Sequence, residues 1–286
     1  MSIKLTDTLF NRNLENFKKI EKEATQTLML LPMFRPIGAN LKQFVKKYAE
    51  KKDVCLKILY LPFHNEQVWG VFYEKSGVDF IVINSEISLN KQNVALAHEF
   101  YHLIISLENE NIKPDIILDT GTAGLDSEED REANAFSSCL LMPSDVISVL
   151  IDNKPNDMFE LFTYIKFLMD CCVVPYKTAV IRLYELGIIN QEDAEIYLST
   201  VDSTIRTKLE QVRFTQLDTR WDKQFGSDFI DLDDLESLIT ENEANDFIDE
   251  SKATEIRNNV ENIIKQIRGI SNDEDSISWC WLYYKN

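Results

Sequence analysis

Apolar positions recur with a helical period at both ends of the chain and gather into short strand-like runs between them. In the first 50 residues they predict an amphipathic N-terminal helix (Leu5, Leu9, Phe10, Phe17, Ile20, Ala24, Leu28) and a second helix (Leu41, Phe44, Val45, Tyr48, Ala49). Three runs of β-branched and aromatic residues at 54–61, 68–73 and 78–84 predict strands. The last two are joined by Glu74-Lys75-Ser76-Gly77, a link typical of a hairpin.

The rest of the pattern predicts helices. Helical periods cover 93–107 and 128–142, with a polar, glycine-containing link at 109–127 between them. Residues 173–187 are typical of the turn and second helix of a helix-turn-helix unit, in which Lys177 and Arg182 are too few for DNA reading and favour packing. Strands in one block followed by helices favour an α+β fold with a small antiparallel or mixed sheet.

The chain therefore divides into four parts in this interpretation. They are an N-terminal helix (1–36), a sheet-containing domain with the candidate chemistry (37–150), a helix-turn-helix-like helical segment (151–200) and an acidic, helical C-terminal region (201–286). The spacing of Leu232, Leu235, Leu238 and Ile239 indicates that the acidic region is folded rather than a disordered tail.

The run His98-Glu99-Phe100-Tyr101-His102 holds two of the three histidines of the chain. Residues i and i+4 lie on one face of a helix, so both imidazoles can reach one metal ion. Glu99 lies one residue round, where it can accept a proton from water and return it to a leaving group. This spacing is the core of zinc hydrolase sites. The alternative is a buried helix whose two histidines bond to carbonyl groups.

A third metal ligand must come from elsewhere in the chain. His64 is the only other histidine and lies upstream in a predicted loop, so a carboxylate on the 128–142 helix is the better source. Glu132 shares a face with Phe136 and Leu140, and a carboxylate on a packed face needs a partner or a metal. Glu129 and Asp130 are the alternatives if the helix phase differs, and a surface ion pair is the non-functional alternative for Glu132.

The second of these helices also carries a family resemblance. The run Glu132-Ala133-Asn134-Ala135-Phe136-Ser137-Ser138-Cys139-Leu140-Leu141-Met142-Pro143, following an HExxH helix, resembles the ImmA/IrrE family of metallo-endopeptidases. The resemblance spans roughly residues 37 to 143, with a weaker echo to about 189. Phe100 and Tyr101 depart from it, since the family usually has a smaller pair there, and we expect the larger side chains to narrow the cleft beside the metal. The resemblance implies one zinc per chain, a protease, and a protein substrate such as a helix-turn-helix repressor of a mobile element or stress response.

Composition narrows the choice of partner and compartment. The net charge of −18 argues against direct nucleic-acid binding and suits a basic protein partner, although solubility alone accounts for it equally well. Residues 1–20 are charged and lack the apolar core of a signal peptide, and no apolar run is long enough to span a membrane. Five cysteines without Cys-x-x-Cys spacing favour a reducing cytoplasm. Nothing in the sequence predicts the oligomeric state.

The sequence thus predicts a zinc-dependent endopeptidase in which His98, His102 and Glu132 hold the metal and Glu99 is the general base. Tyr101, Tyr73 and His64 are candidates for stabilising the oxyanion. In zinc proteases of this plan an edge strand beside the metal holds the substrate, and residues 80–83 are either that strand or an ordinary core strand. The competing function is a regulatory protein that binds a repressor without cutting it; the presence of Glu99 favours the enzyme.

Overall fold

A computed structural model describes residues 4–65, 67–108, 117–119, 127–152, 161–200, 204–205 and 230–269. The described chain is mostly helical with one small sheet, which confirms the predicted α+β class. It separates into two compact units, Met1–Asp233 and Asp234–Asn286. The four-part division drawn from the sequence stays a prediction.

The sheet has four strands in the order β1-β3-β2-β4 and is mixed. They are β1 (Leu56–Leu61), β2 (Gly70–Lys75), β3 (Val78–Asn84) and β4 (Ile117–Asp119). β1 runs parallel to β3, and β2 is antiparallel to both β3 and β4. The β2–β3 hairpin turns at Ser76 and Gly77, whose φ angles of 56° and 78° suit the two-residue turns that match strand twist.

The β3 strand is interior, which supports the core-strand alternative for residues 80–83 over the substrate-binding edge. It pairs with β1 along one side and with β2 along the other. Ile81, Val82 and Ile83 are buried, as expected for β-branched residues in a strand that is covered on both faces. The outer strands are β1 and β4, and β4 falls where the sequence predicts only a link.

The N-terminal apolar pattern forms two helices rather than one. They are α1 (Leu9–Arg12) and α2 (Leu14–Met29), and Asn13 separates them because its side chain accepts a hydrogen bond from the Asn16 N–H at 3.1 Å and caps α2. The predicted second helix is α3 (Leu41–Lys51), with its apolar positions buried as expected.

Two long helices lie between the sheet and α2. The first, α4 (Leu89–Glu108), carries the His98–His102 run and packs against β2 and β3. The second, α5 (Glu128–Leu141), packs against α4 on one side and α2 on another. Ser127 caps α5 by accepting from the Asp130 N–H at 2.9 Å, as the sequence predicts. Phe100 joins the layers, since its ring makes edge contacts with Phe44, Tyr48 and Phe136.

Helices continue after α5: α6 (Ser144–Asp152), α7 (Leu161–Cys172), α8 (Tyr176–Glu185) and α9 (Gln191–Ser199). Arg182 of α8 is buried, where its Nε donates to the Met142 carbonyl at 3.0 Å and a guanidinium nitrogen contacts Glu21 at 2.6 Å. This side chain therefore packs the segment, as expected, and is not presented to DNA. Within the described residues, no single helix combines the length and apolar content needed to cross a membrane, and only the bent pair α5–α6 passes on length and composition.

The second unit contains α10 (Leu235–Ala244) and α11 (Glu250–Gly269), which confirms the helical pattern expected there. Arg257 of α11 joins the two helices by ion pairs with Glu236 at 2.9 Å and Glu243 at 3.3 Å. These pairs are exposed, so their contribution to stability is small.

The outer edge of β1 is covered by a short segment of the first unit. Tyr60 and Asp231 exchange backbone hydrogen bonds of 2.9 Å in each direction. The Asp233 carboxylate is 3 % exposed, accepts from the Ile58 N–H at 3.2 Å and forms ion pairs with Lys42 and Lys46. Together these contacts satisfy backbone groups that an edge strand would otherwise present to another chain.

We expect Asp233→Ala to lower the free energy of unfolding by about 1–3 kcal/mol, because a buried N–H loses its acceptor. Asp233→Asn is the matched variant, since asparagine keeps an acceptor and tolerates the φ of 61° at this position. Urea unfolding of both variants measures the difference. Equal losses in the two would contradict the hydrogen bond to Ile58 as the main contribution.

Candidate metal centre

The two histidines of α4 are brought together inside the protein. His98 and His102 are 1 % and 2 % exposed and lie one turn apart on the face of α4 that meets α5. Their Nε2 atoms are 3.1 Å apart. Since α4 is buried along most of its length, neither ring can turn toward bulk solvent.

Residues of α5 hold the other ring nitrogen of each histidine. The Nδ1 of His98 lies 3.1 Å from Oδ1 of Asn134, and the Nδ1 of His102 lies 3.0 Å from a carboxylate oxygen of Glu129. Carboxylate and amide oxygens only accept hydrogen bonds, so in the neutral rings each Nδ1 carries the hydrogen. Each Nε2 then offers a lone pair, which is the tautomer that orienting partners impose on metal-binding histidines.

The facing Nε2 atoms fit a metal ion. Two lone pairs at 3.1 Å repel one another unless a cation is bound between them. In a tetrahedral zinc site, bonds of about 2.0–2.1 Å separate the ligand atoms by about 3.3 Å, close to what is found here. The distance and the orientation of both rings therefore suit shared coordination.

Asp130 supplies the third ligand atom of this group. One of its carboxylate oxygens lies 3.8 Å from Nε2 of His98 and 4.0 Å from Nε2 of His102, and the three candidate ligand atoms lie within 4.8 Å of one another. Asp130 belongs to the first turn of α5, where the helix dipole stabilises a carboxylate. Its side chain is 19 % exposed, so the group is open to solvent on the α5 side.

The structure does not place Glu132 in this group. Its two oxygens accept hydrogen bonds from the Tyr101 hydroxyl at 2.9 Å and the Asn16 side chain at 2.6 Å. Two residues along a helix turn the side chain by about 200°, so Glu132 and Asp130 leave α5 on different sides. The geometry supports Asp130, the alternative named with Glu132, and metal binding by Glu132 itself stays a prediction.

The carboxylates of Glu108 and Glu132 both lie near Glu23. Burial, followed by the nearby carboxylates of Glu108 and Glu132, raises the pKa of Glu23 from 4.5 to about 7. Burial and Glu132 likewise raise the pKa of Tyr101 above its ordinary value. In contrast, the hydrogen bond to His102 lowers the pKa of Glu129, which keeps that carboxylate ionised against the ring.

Glu99 is directed toward the sheet rather than toward α5. Its side chain is fully buried, and a Cβ atom added at Gly70 of β2 would lie 2.8 Å from its Oε1. Glycine at position 70 is therefore what lets α4 bring this carboxylate against the strand. The candidate base lies between the metal-binding face of α4 and the first residue of β2.

The three candidates for oxyanion stabilisation have other contacts in the structure. The Tyr101 hydroxyl donates to Glu132, the Tyr73 ring stacks on Phe80 at 5.0 Å, and His64 Nδ1 lies 3.1 Å from Glu86. Their role in catalysis stays a prediction.

The sequence interpretation overlooked Asn134, Gly70 and the orienting role of Glu129. Asn134 lies one turn after Asp130 and so shares its face, while a lone glycine at the start of a strand pattern signals a close approach.

The central part of the chain matches a known protein family. Residues 52–184 match the family model described as the IrrE N-terminal-like domain, Peptidase_M78. The matched region runs from β1 to the penultimate residue of α8 and contains every residue of the candidate metal group. No curated protein matches the chain at a significant level.

We expect Asp130→Ala to weaken metal binding by more than about tenfold, since even residues that only orient a ligand are typically worth that much. Glu132→Ala should retain the metal and instead lower stability, because the Tyr101 hydroxyl and the Asn16 amide lose their acceptor. Metal content after dialysis against a chelator, with His98→Ala as the metal-free reference, measures both. Retained metal in Asp130→Ala together with lost metal in Glu132→Ala would establish Glu132 as the ligand.

Proposed function

We propose that this chain, which belongs through residues 52–184 to the ImmA/IrrE family of IrrE N-terminal-like domains, is a zinc-dependent endopeptidase. The observation that carries the proposal is the pair of Nε2 atoms 3.1 Å apart, each on a ring whose Nδ1 is held by α5. A purely structural pair of buried histidines does not require both Nε2 lone pairs to be directed at one point, whereas a metal site does require it.

Zinc is the metal that this donor set favours. Two imidazole nitrogens and one carboxylate oxygen, from His98, His102 and Asp130, are the usual ligands of catalytic zinc, which leaves one coordination position open. When bound, zinc supplies Lewis acidity, which lowers the pKa of water and polarises a carbonyl group. One ion per chain fits the single group found among the described residues.

Glu99 performs the proton transfers in this mechanism. Its carboxylate accepts a proton from the attacking water and gives it to the amine that leaves when the peptide bond breaks. Gly70 leaves room for this carboxylate, since a Cβ atom at that position would lie 2.8 Å from Oε1. Asn134 and Glu129 hold the histidine rings in the required tautomer during the reaction.

The proposed substrate is a basic, DNA-binding repressor encountered in the cytoplasm. The family resemblance points to a repressor, and the net charge of −18 gives this chain a long-range attraction for a basic protein. The same charge disfavours direct contact with nucleic acid or with an anionic membrane surface.

We expect Glu99→Gln to keep its metal and its fold but to lower peptide-bond cleavage by at least about 100-fold, because the amide cannot accept the proton. Glu108→Gln is the matched control, since it makes the same change at an exposed position on the same helix. The measurements are the metal content of each variant and its cleavage of the repressor that the capture experiment described next identifies. Full cleavage by the Glu99→Gln variant would contradict the role of Glu99, and binding without cleavage by the wild type would favour the non-cleaving regulator.

The partner is identified with the same variant. Glu99→Gln should retain a basic DNA-binding protein at low salt and release much of it at high salt, since exposed charges are screened beyond about 8 Å at physiological ionic strength. Affinity capture from cells at the two salt concentrations makes the comparison. Capture that recovers no DNA-binding protein at either concentration would contradict the proposed substrate.

A further inference from the structure

An aromatic side chain of the second unit is presented to solvent in the turn between its two helices. Phe247 lies between α10 and α11 and is 77 % exposed. Large aromatic residues are enriched at the centres of protein–protein interfaces. A single exposed apolar side chain is also common on ordinary surfaces, so the structure and charge around Phe247 decide what it is suited to do.

Backbone hydrogen bonds hold Phe247 in place. The Phe247 N–H donates to the Asn242 carbonyl at 2.9 Å, and the Asp246 N–H donates to the Glu243 carbonyl at 3.2 Å. These two bonds form a Schellman motif, which requires a left-handed residue after the helix, and Asp246 has the φ of 57° that fits. The turn that carries the ring is therefore closed by its own hydrogen bonds before any partner binds.

The ring does not have the apolar contact that usually accompanies this motif. The residue after the left-handed position commonly packs on the side chain five or six positions before it. Those positions are Asn242 and Glu241, both polar, and the Asn242 side chain donates to the Leu238 carbonyl at 2.7 Å. Phe247 is thus fixed in place and still exposed, and an anchor that is ordered in advance loses little entropy on binding.

The neighbouring side chains determine which charge a partner needs. Residues 241–250 contain five acidic residues and no basic one, namely Glu241, Glu243, Asp246, Asp249 and Glu250. Glu243 pairs with Arg257 at 3.3 Å, and the other four are exposed. An aromatic centre with an acidic rim is complementary to an apolar patch bordered by lysine or arginine. A second copy of this chain is disfavoured, because its net charge is −18.

We propose that the turn between α10 and α11 is a docking surface for the basic protein partner, with Phe247 on an apolar patch of that partner and the acidic residues of 241–250 against its lysines or arginines. The inference rests on the proposed function, because it assigns recognition of the proposed substrate to a unit that holds none of the candidate catalytic residues. The plain alternative is that Phe247 is an isolated exposed side chain without a binding role.

The aromatic contact is tested by removing one exposed ring at a time from the full chain. Phe247→Ala is compared with Phe34→Ala, which removes a ring that is 96 % exposed in the first unit. Both variants also carry Glu99→Gln, so that binding is measured without cleavage. The probe is a fluorescein-labelled helical peptide of leucine and lysine, which presents an apolar face bordered by cations.

The charges are tested by a pair of double variants. Asp246→Asn with Asp249→Asn removes two charges beside the ring and keeps both backbone roles. Asparagine tolerates the φ of 57°, and at position 249 it still accepts the bond that the Lys252 N–H now donates at 2.7 Å. The matched control is Glu192→Gln with Glu195→Gln, which removes two charges from exposed positions on α9.

We expect Phe247→Ala to bind the probe at least about fivefold more weakly than Phe34→Ala, the loss typical of a central aromatic anchor. The Asp246 and Asp249 double variant should bind more weakly than its α9 control at low salt and equally at high salt, since exposed charges are screened. Fluorescence anisotropy gives the affinities. Equal affinities for Phe247→Ala and Phe34→Ala would overturn the inference. A dimer in sedimentation that Phe247→Ala dissociates would overturn it in favour of a second copy.

Cleavage kinetics separate this inference from the proposed function. In the active chain, Phe247→Ala should raise KM for the protein substrate and leave kcat unchanged, because only binding is removed. If the wild type cleaves its partner and Phe247→Ala has an unchanged KM, the peptidase stands and the docking surface is wrong. If no cleavage is ever observed but Phe247→Ala binds the probe more weakly than Phe34→Ala, the docking surface stands and the peptidase assignment is wrong.

Discussion

The hydrogen bonds that the two Nδ1–H groups of α4 donate to Asn134 and Glu129 of α5 are the interaction on which the site depends. Without Asn134 and Glu129, neither ring has a fixed tautomer, and the two Nε2 lone pairs have no reason to converge. These bonds exist only while α4 and α5 remain packed. The rigidity of the metal group is therefore a property of a helix pair and its aromatic core rather than of the HExxH segment alone.

A neighbouring face of α4 imposes a second constraint. The candidate metal ligands face α5, whereas the candidate base faces β2, and one helix meets both requirements through neighbouring residues. His98 and Glu99 are about 100° apart around the axis, so one turns to α5 and the other to β2. The small residue at Gly70 is the condition for this, because any side chain there would collide with the Glu99 carboxylate.

The local sequence pattern predicts the elements whose formation depends on residues close together in the chain. The HExxH helix, the Ser127 cap and the β2–β3 hairpin follow from spacing, capping and turn residues, and all appear near their expected bounds. Strand order does not follow from pattern, since a buried strand such as β3 looks the same at the edge or in the middle. The sequence pattern does not predict the β4 strand, because its residues lie inside a polar link and its pairing depends on β2, which is distant in the sequence.

The third metal ligand is likewise hard to choose from the sequence pattern of one helix. An apolar face identifies the packed side only where a helix packs on a single neighbour, but α5 contacts α4, α2 and α8. The face that contains Glu132 and Phe136 contacts Tyr101 of α4 and Asn16 of α2, so its apolar character alone does not identify the carboxylate nearest the histidines.

Glu132 has polar partners, as expected for a carboxylate on a packed face, and its binding to a metal stays a prediction. A carboxylate among packed helices does need a partner, and this one accepts hydrogen bonds from two neutral donors. One donor, Asn16, belongs to α2, outside the region that matches the family. Through Glu132 the N-terminal helix is bonded to the helix that carries Asp130, and through Tyr101 to the helix that carries both histidines. The candidate metal group is thus supported from its far side by a segment outside the residues that match the family model.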